Sequence, residues 1–229
     1  MDSKLAWKQF ANGQTPSSVE LDDLFFEKVP KNSKVLDFGC AWGRVPFELQ
    51  EKEYKVVGFD ISKTQINRVK EFSKESNQKY KTKVQFDVAD ALDLPYEDNS
   101  FDACIMQAFM TTLINPEHRF KILDEAKRVL KKDGVLYMGV FGQTRENPKY
   151  KERYDSHFSL TKEKGTFIVT EDGTPNTPEL YRAHHYTKEE LIILLKSRFN
   201  IEIFKDTIFT SYHKNKVNGF IIISRNMPS

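Results

Sequence analysis

The stretch Val35-Leu36-Asp37-Phe38-Gly39-Cys40-Ala41-Trp42-Gly43-Arg44 sets the architecture of the chain. Lys34 to Phe38 is a short apolar run that breaks at Gly39. Val45, Phe47 and Leu49 follow in a segment whose early Pro46 is tolerable only in the first turn of a helix. The pattern is strand, tight turn, helix. A second strand spans Lys55 to Phe59 and ends at Asp60, and Ser62 with Gln65 forms a capping box that opens a helix carrying Ile66, Val69 and Phe72 on one face. Lys83 to Val88 reads as a third strand and Phe101 to Met106 as a fourth. Asn115-Pro116 then starts a helix with Phe120, Leu123, Ala126 and Leu130, which Asp133-Gly134 ends ahead of a fifth strand, Val135 to Phe141. Strands alternating with amphipathic helices mark an α/β protein with a largely parallel sheet.

The flanks fit around this core. Ser17 and Glu20 suggest a capping box ahead of Leu21, Leu24, Phe25 and Val29, so a helix is expected before Pro30. From Gly142 to about Tyr186 the periodicity is lost in a polar, aromatic, turn-rich segment, a length that marks a functional loop or minor structure of its own. Thr187 and Glu190 cap a helix with Leu191, Leu194, Leu195 and Phe199, and two strands follow, Ile201 to Phe209 and Val217 to Ser224. The chain is read as a single domain over 1–229 with an N-terminal helical lid (1–30) and a substrate-side insertion (142–186).

Composition narrows the function. The 229 residues are 39% hydrophobic with 18 Phe, enough for a real core. The 35 Lys and Arg stand against 33 Asp and Glu, a net charge of +2 with no basic face or tail, so no nucleic-acid or membrane partner is expected. Cys40 and Cys104 are too few and too far apart for a disulfide framework or a zinc site. With no signal peptide and no apolar run long enough to span a bilayer, a cytoplasmic protein is expected, monomer or homodimer.

Ligands of open parallel sheets bind beyond the carboxyl ends of the strands. There Gly39 and Gly43 let backbone approach a ligand, and Asp60, 21 residues after Gly39, can take both hydroxyls of a ribose. A dinucleotide fingerprint laid from Gly39 requires glycines at 41 and 44, where Ala41 and Arg44 stand. Asp37 would also face a pyrophosphate with like charge, whereas a cationic sulfonium with an α-amino group suits it. The balance favours S-adenosylmethionine over NAD.

The chain resembles the class I S-adenosylmethionine-dependent methyltransferases, particularly their small-molecule group with the pattern Asp/Glu-x-Gly-Cys-Gly-x-Gly. It matches at Asp37, Gly39, Cys40 and Gly43, and departs at Ala41, followed by Trp42. Without a glycine at 41, the turn is expected to manage with no residue free to take positive φ there, and Trp42 is expected to pack as core or lid. The resemblance continues through Asp60-Ile61-Ser62, through Asp90 and Ala91 in Asp87 to Pro95, at Gln107, and in Arg128 to Leu136. It covers about residues 33 to 141. It implies a Rossmann-like, doubly wound seven-stranded sheet, mostly parallel with an antiparallel last strand. It also implies that Asp60 and Ile61 form the ribose tip, that Asp90 and Ala91 hold the adenine, and that Gln107 lies near the methionine part.

Transfer of a methyl group to a small-molecule acceptor is the function so implied. An RNA methyltransferase of the same core, a non-catalytic cofactor-binding module and an NAD enzyme are the alternatives. Acceptor contacts are expected from Trp7 and Phe10, from Phe109, Met110 and Thr111, and from the segment 142–186. Within the last, His184 and His185 are adjacent and face opposite ways if extended, which argues against a metal pair, and no metal is expected. His185 is the candidate base, needed only if the acceptor is a hydroxyl or a protonated amine.

Overall fold

The structure is a computed structural model and describes residues 19–170, 177–210 and 215–227. Seven strands form one sheet: β1 (Lys34–Phe38), β2 (Lys55–Asp60), β3 (Val84–Val88), β4 (Phe101–Gln107), β5 (Leu130–Phe141), β8 (Phe199–Thr210) and β9 (Lys216–Asn226). Their order is β3-β2-β1-β4-β5-β9-β8. The first five pair in parallel, and β9 runs antiparallel to both β5 and β8. A second sheet pairs β6 (Thr166–Thr170) with β7 (Glu179–His184), antiparallel.

Helices cover both faces, and so β4 and β5 are almost continuously apolar and buried rather than alternating. On one face α1 (Asp23–Lys28), α2 (Arg44–Glu51), α3 (Lys63–Lys79) and α5 (Pro148–Thr161) pack Phe25, Leu49, Ile66, Val69 and Tyr154 onto Val35, Ile105 and Tyr137. On the other, α4 (Pro116–Val129) and α6 (Lys188–Leu195) set Leu123, Ala126, Leu191 and Leu195 against Leu36, Cys104 and Leu136. The caps read from sequence close four backbone N–H groups: Ser62 accepts from Gln65, Asn115 from Glu117, and Thr187 and Glu190 form a reciprocal box.

Three readings are corrected. Ser17 lies outside the described residues, and the first described helix starts at Asp23, capped by Asp22, while the carbonyls of residues 19 and 20 are taken by the side chains of Arg44 and Gln107. Phe72 is 58% exposed. Seven positions beyond Gln65, it lies at the margin of the face that buries Gln65, Ile66, Val69 and Ser73, on the side away from Ile66. Phe120 of α4 is likewise exposed beside the buried Leu123 and Ala126. The described part of 142–186 has minor structure of its own, the second of the two readings given for it. Asn147 caps α5, Pro148 occupies its first position, and its buried face is Tyr150 and Tyr154 while Phe158 and Leu160 are exposed, which scrambles the apolar period.

Candidate active site

Strand alternation puts Asp37, Gln107, Gly139 and Phe141 on one face at the carboxyl end of the sheet, since Gln107 pairs with Gly139 and Phe141 lies two residues further along β5. Asp37 is buried. Burial raises its carboxyl to about 8, Arg44 opposes the shift, and Asp60 adds to it. No described residue hydrogen-bonds its side chain.

The turn after β1 holds three left-handed residues, Gly39 (φ 66°), Ala41 (φ 46°) and Gly43 (φ 79°). Position 41 therefore does take positive φ, contrary to the sequence reading, and an alanine bears the strain. At Gly39 a Cβ would lie 2.7 Å from the ring of Phe109, which closes over the turn. At Gly43 it would strike Phe86 and Val69 at 2.8 Å, so α2 can approach β3 and α3 only without a side chain there. Gly43 is also the N-cap of α2 and supplies no side chain to its first N–H groups.

Asp60 joins the tip of β2 to this turn. One carboxylate oxygen accepts from Ala41 N at 3.1 Å and the other from Ser62 N at 2.9 Å. Burial raises its pKa, and backbone N–H groups of Ser62, Ala41 and Ile61 work against the rise. A carboxylate has about four acceptor positions, so each oxygen retains capacity for a ligand hydroxyl. Asp90 accepts from Leu92 N at 3.0 Å and bridges to Asp93, which sets Ala91, buried, at the apex of a tight turn.

Gln107 faces the chain's own N-terminal part. Its amide nitrogen donates to the carbonyls of Val19 and Glu20 at 3.3 and 3.1 Å, and its Oε1 is buried without a hydrogen bond above Gly139. Arg44 donates to the same Val19 carbonyl at 2.5 Å. Asp22 N donates to Tyr137 Oη at 3.1 Å, and Lys205 pairs with Asp22 at 2.7 Å. Residues 19–22 are thus strapped across the strand ends. Arg44 is part of the quoted motif, but its reach back to Val19 is a tertiary contact that sequence could not show. Trp42 is half-buried with the Arg68 guanidinium 4.3 Å from its ring centre. Trp7 and Phe10 lie outside the described residues. Cys40 and Cys104 are free and buried, and burial pushes both thiols up, away from reactivity.

His185 follows β7 and stacks on Phe141 of β5, with ring centres 5.5 Å apart, boxed by Tyr150, Tyr154 and Phe167. The Tyr154 hydroxyl meets its Nδ1 at 2.8 Å. Burial, with His184 and Arg153 nearby, pushes its pKa down to about 3, so the ring is neutral at pH 7 and a weak proton acceptor. His184 points elsewhere, into a cluster with Thr166, Glu163 and Glu190.

A doubly wound sheet ending in an antiparallel pair, with a left-handed turn after β1 and an acid at the tip of β2, defines a nucleoside-binding α/β domain. The chain matches the family model described as Methyltransferase domain over residues 30–173, and it belongs to that family, the class I S-adenosylmethionine-dependent methyltransferases. A solved structure of an S-adenosylmethionine-dependent methyltransferase from Methanosarcina mazei is 34% identical, covers 92% of this chain and 100% of that one, and superposes with a TM-score of 0.86. The 27-O-demethylrifamycin SV methyltransferase of Amycolatopsis mediterranei is 31% identical over 47% of this chain and 38% of its own. The tRNA (carboxymethyluridine(34)-5-O)-methyltransferase alkbh8 of Xenopus tropicalis is 31% identical over 57% of this chain and 19% of its own. The chain thus spans less than two fifths of these two curated relatives.

S-adenosylmethionine is the methyl donor of this class, and the residues present fit it. Asp37 is a buried acid with no hydrogen-bond partner among the described residues, suited to a cationic ligand. The Gln107 Oε1 is an orphaned buried acceptor suited to an ammonium group. Among the described residues, the charges acting at Asp37 are Arg44 and Asp60, and a cationic ligand, unlike a pyrophosphate, favours the ionised form of both acids. When bound, the donor supplies a methyl group activated by a cationic sulfur.

Proposed function

We propose that the protein transfers a methyl group from S-adenosylmethionine to a small-molecule acceptor bound beside the end of β5. In this reading Asp60, with Ile61, takes the ribose, and Asp90 and Ala91 take the adenine. Asp37, Gly39, Cys40, Gly43 and Gln107 surround the remainder, the first by charge and the glycines by close backbone approach. The observation that carries the acceptor side is the aromatic box of Phe141, Tyr150, Tyr154, Phe167 and His185. It stands on the same face of the sheet as Gln107, one strand over, a packed cluster of rings whose outer surface suits contact with an apolar or planar molecule.

Residues 142–186 then serve as the substrate-side wall, and residues 19–22 as the strap of a lid. The protein's contribution is alignment and exclusion of water, which by themselves yield several orders of magnitude. The low proton affinity of His185 supports a nucleophile that needs no strong protein base.

The reading is tested by incubating the protein with isotope-labelled S-adenosylmethionine, a metabolite extract and, separately, a tRNA pool. Label in the small-molecule fraction alone is expected. Label in the tRNA overturns the acceptor class, and donor binding with no transfer to any extract favours a non-catalytic module.

A further inference from the structure

The hydrogen bonds around His185 run in one direction. Thr144 N–H donates to Tyr154 Oη at 3.3 Å, and Tyr154 Oη lies 2.8 Å from His185 Nδ1. Tyr154 is buried, and among the described residues its hydroxyl has no acceptor except Nδ1. If His185 carried its proton on Nδ1, the phenol oxygen would receive two N–H groups and its own proton would be buried with nowhere to go, a full desolvation loss. The hydroxyl therefore donates, Nδ1 accepts, and the neutral ring carries its proton on Nε2.

The ring is also held in orientation. Phe141 stacks on it with 14° between planes, and Phe167 stands edge-on at 4.8 Å. Its backbone N–H donates to Gly165 O at 3.0 Å, and Tyr186 N–H donates to Phe141 O at 3.0 Å. The first contact depends on Gly165 having no side chain, because a Cβ there would lie 2.4 Å from His185 O. With Nδ1 committed to α5, Nε2–H is left as a donor with no hydrogen-bond partner among the described residues. Arg153 lies 5.4 Å from the Phe167 ring centre and has no ion pair among the described residues, so its charge favours electron-rich ligand atoms in the box.

We infer that His185 is a fixed hydrogen-bond donor to the methyl acceptor, recognising a carbonyl, carboxylate or phenolate oxygen through Nε2–H, and that Tyr154 is the positioning residue that sets its tautomer. The inference rests on the box being the acceptor site, and it names the chemistry that this site would select. It replaces general-base work at His185 with recognition.

The test is a long-range 1H–15N correlation spectrum of the full chain with 15N-labelled histidine, recorded between pH 6 and 8. His185 is expected as the Nε2–H tautomer throughout, and Tyr154→Phe is expected to shift it toward a mixture. A ring found as Nδ1–H or as imidazolium in the unmodified protein overturns the inference, as does an unchanged tautomer in folded Tyr154→Phe. Should that variant not fold, Thr144 and Tyr154 remain in place in His185→Gln, whose amide keeps one donor. Millimolar benzoate, the probe for the oxygen class, is expected to move the His185 Nε2–H resonance while benzylamine does not. His185→Gln is expected to retain benzoate binding within about tenfold, whereas His185→Phe loses it. A silent Nε2–H with benzoate, together with label transfer to small molecules in the incubation above, sinks this inference and leaves the proposed function standing. The expected spectra without transfer do the reverse.

Discussion

The guanidinium of Arg119, in α4, forks onto the carboxylate of Glu163, beyond α5, with N–O distances of 2.6 and 2.9 Å. Its third nitrogen position, Nε, donates to Leu113 O at 2.7 Å, next to the 3-10 turn Met110–Thr112 that follows β4. Thr166 and His184 extend the cluster on the Glu163 side, and Glu190 reaches toward His184 from α6. One ion pair, with Arg119 buried and Glu163 half-buried, therefore ties the loop after β4 to the segment 142–186. Removing one partner leaves the other charge uncompensated, so Arg119→Ala is expected to cost about 3–5 kcal/mol in chemical denaturation. Replacing both residues with apolar ones of similar volume is expected to recover most of that. A loss below about 1 kcal/mol, the range of exposed pairs, contradicts the role assigned to this contact.

Asp37 links donor binding to pH. Its folded-state pKa of about 8 lies above the ordinary carboxylate value, so the folded protein keeps a proton that the unfolded chain has released. Stability from this group is full below about pH 4 and is lost as pH rises toward 8. A cationic donor prefers the ionised acid, so calorimetry should find affinity for S-adenosylmethionine rising from pH 6 to 8 with proton release. Asp37→Asn should flatten both dependences. A proton uptake on binding contradicts the assignment.

Asp60 is expected to matter twice, for the ribose and for the turn that it holds through Ala41 N. Asp60→Ala should weaken donor binding by more than 1 kcal/mol, the scale of hydrogen bonds to a charged group, and should lower the melting temperature as well. Unchanged affinity would falsify the ribose assignment.

His185 acts in the opposite pH direction. Its folded pKa, about 3, lies below that of a free histidine, so the unfolded chain takes up a proton first. Its contribution is complete above about pH 6.5 and declines as pH falls toward 3. His185→Phe is expected to reduce the acid sensitivity of the melting temperature across that window, compared with the unmodified protein. Equal slopes for the two proteins contradict the buried, neutral ring.

Ala41 sits at φ 46°, where an L residue costs roughly 1–2 kcal/mol. Ala41→Gly should relieve this and, after the entropy lost by the flexible residue, leave the folded state about equally stable or slightly more so in thermal melts. A drop of more than about 1 kcal/mol is larger than the entropy term alone and contradicts strain at that position.

Local signals carried most of the cofactor side. The strand ending at Asp37, the glycine turn and the acid at the tip of β2 are contiguous in sequence, and their periodicity and capping residues report directly on backbone geometry. The proposed acceptor side was legible only as a region. The buried face of α5 is built from Tyr150 and Tyr154, residues that read as polar as readily as apolar, and β6 with β7 carry Thr, Glu, Arg and His in place of a clean alternation. Partners distant in sequence stayed out of reach as well. Nothing near Arg119 announces Glu163, and nothing near Gln107 announces Val19, because those pairings exist only once the layers have packed. The adjacency of His184 and His185 did foretell that the two rings part company, one toward Thr166 and the other toward Tyr154.

The sheet order has a consequence for how the molecule is assembled. β9 comes after β8 in the chain yet lies between it and β5. The parallel strands β1 to β5 can pair as soon as residue 141 is available, but β8 has no place in the sheet until the chain has been made through residue 226 and β9 has docked first. Phe209 and Val217, which join the core beneath the aromatic box, must wait with it. Non-local pairing of this kind slows folding and leaves an unpaired edge on β5 during synthesis. β8 and the core around Phe209 and Val217 should therefore be the last part to gain protection in pulse-labelled hydrogen exchange, after β1 to β5 have already formed.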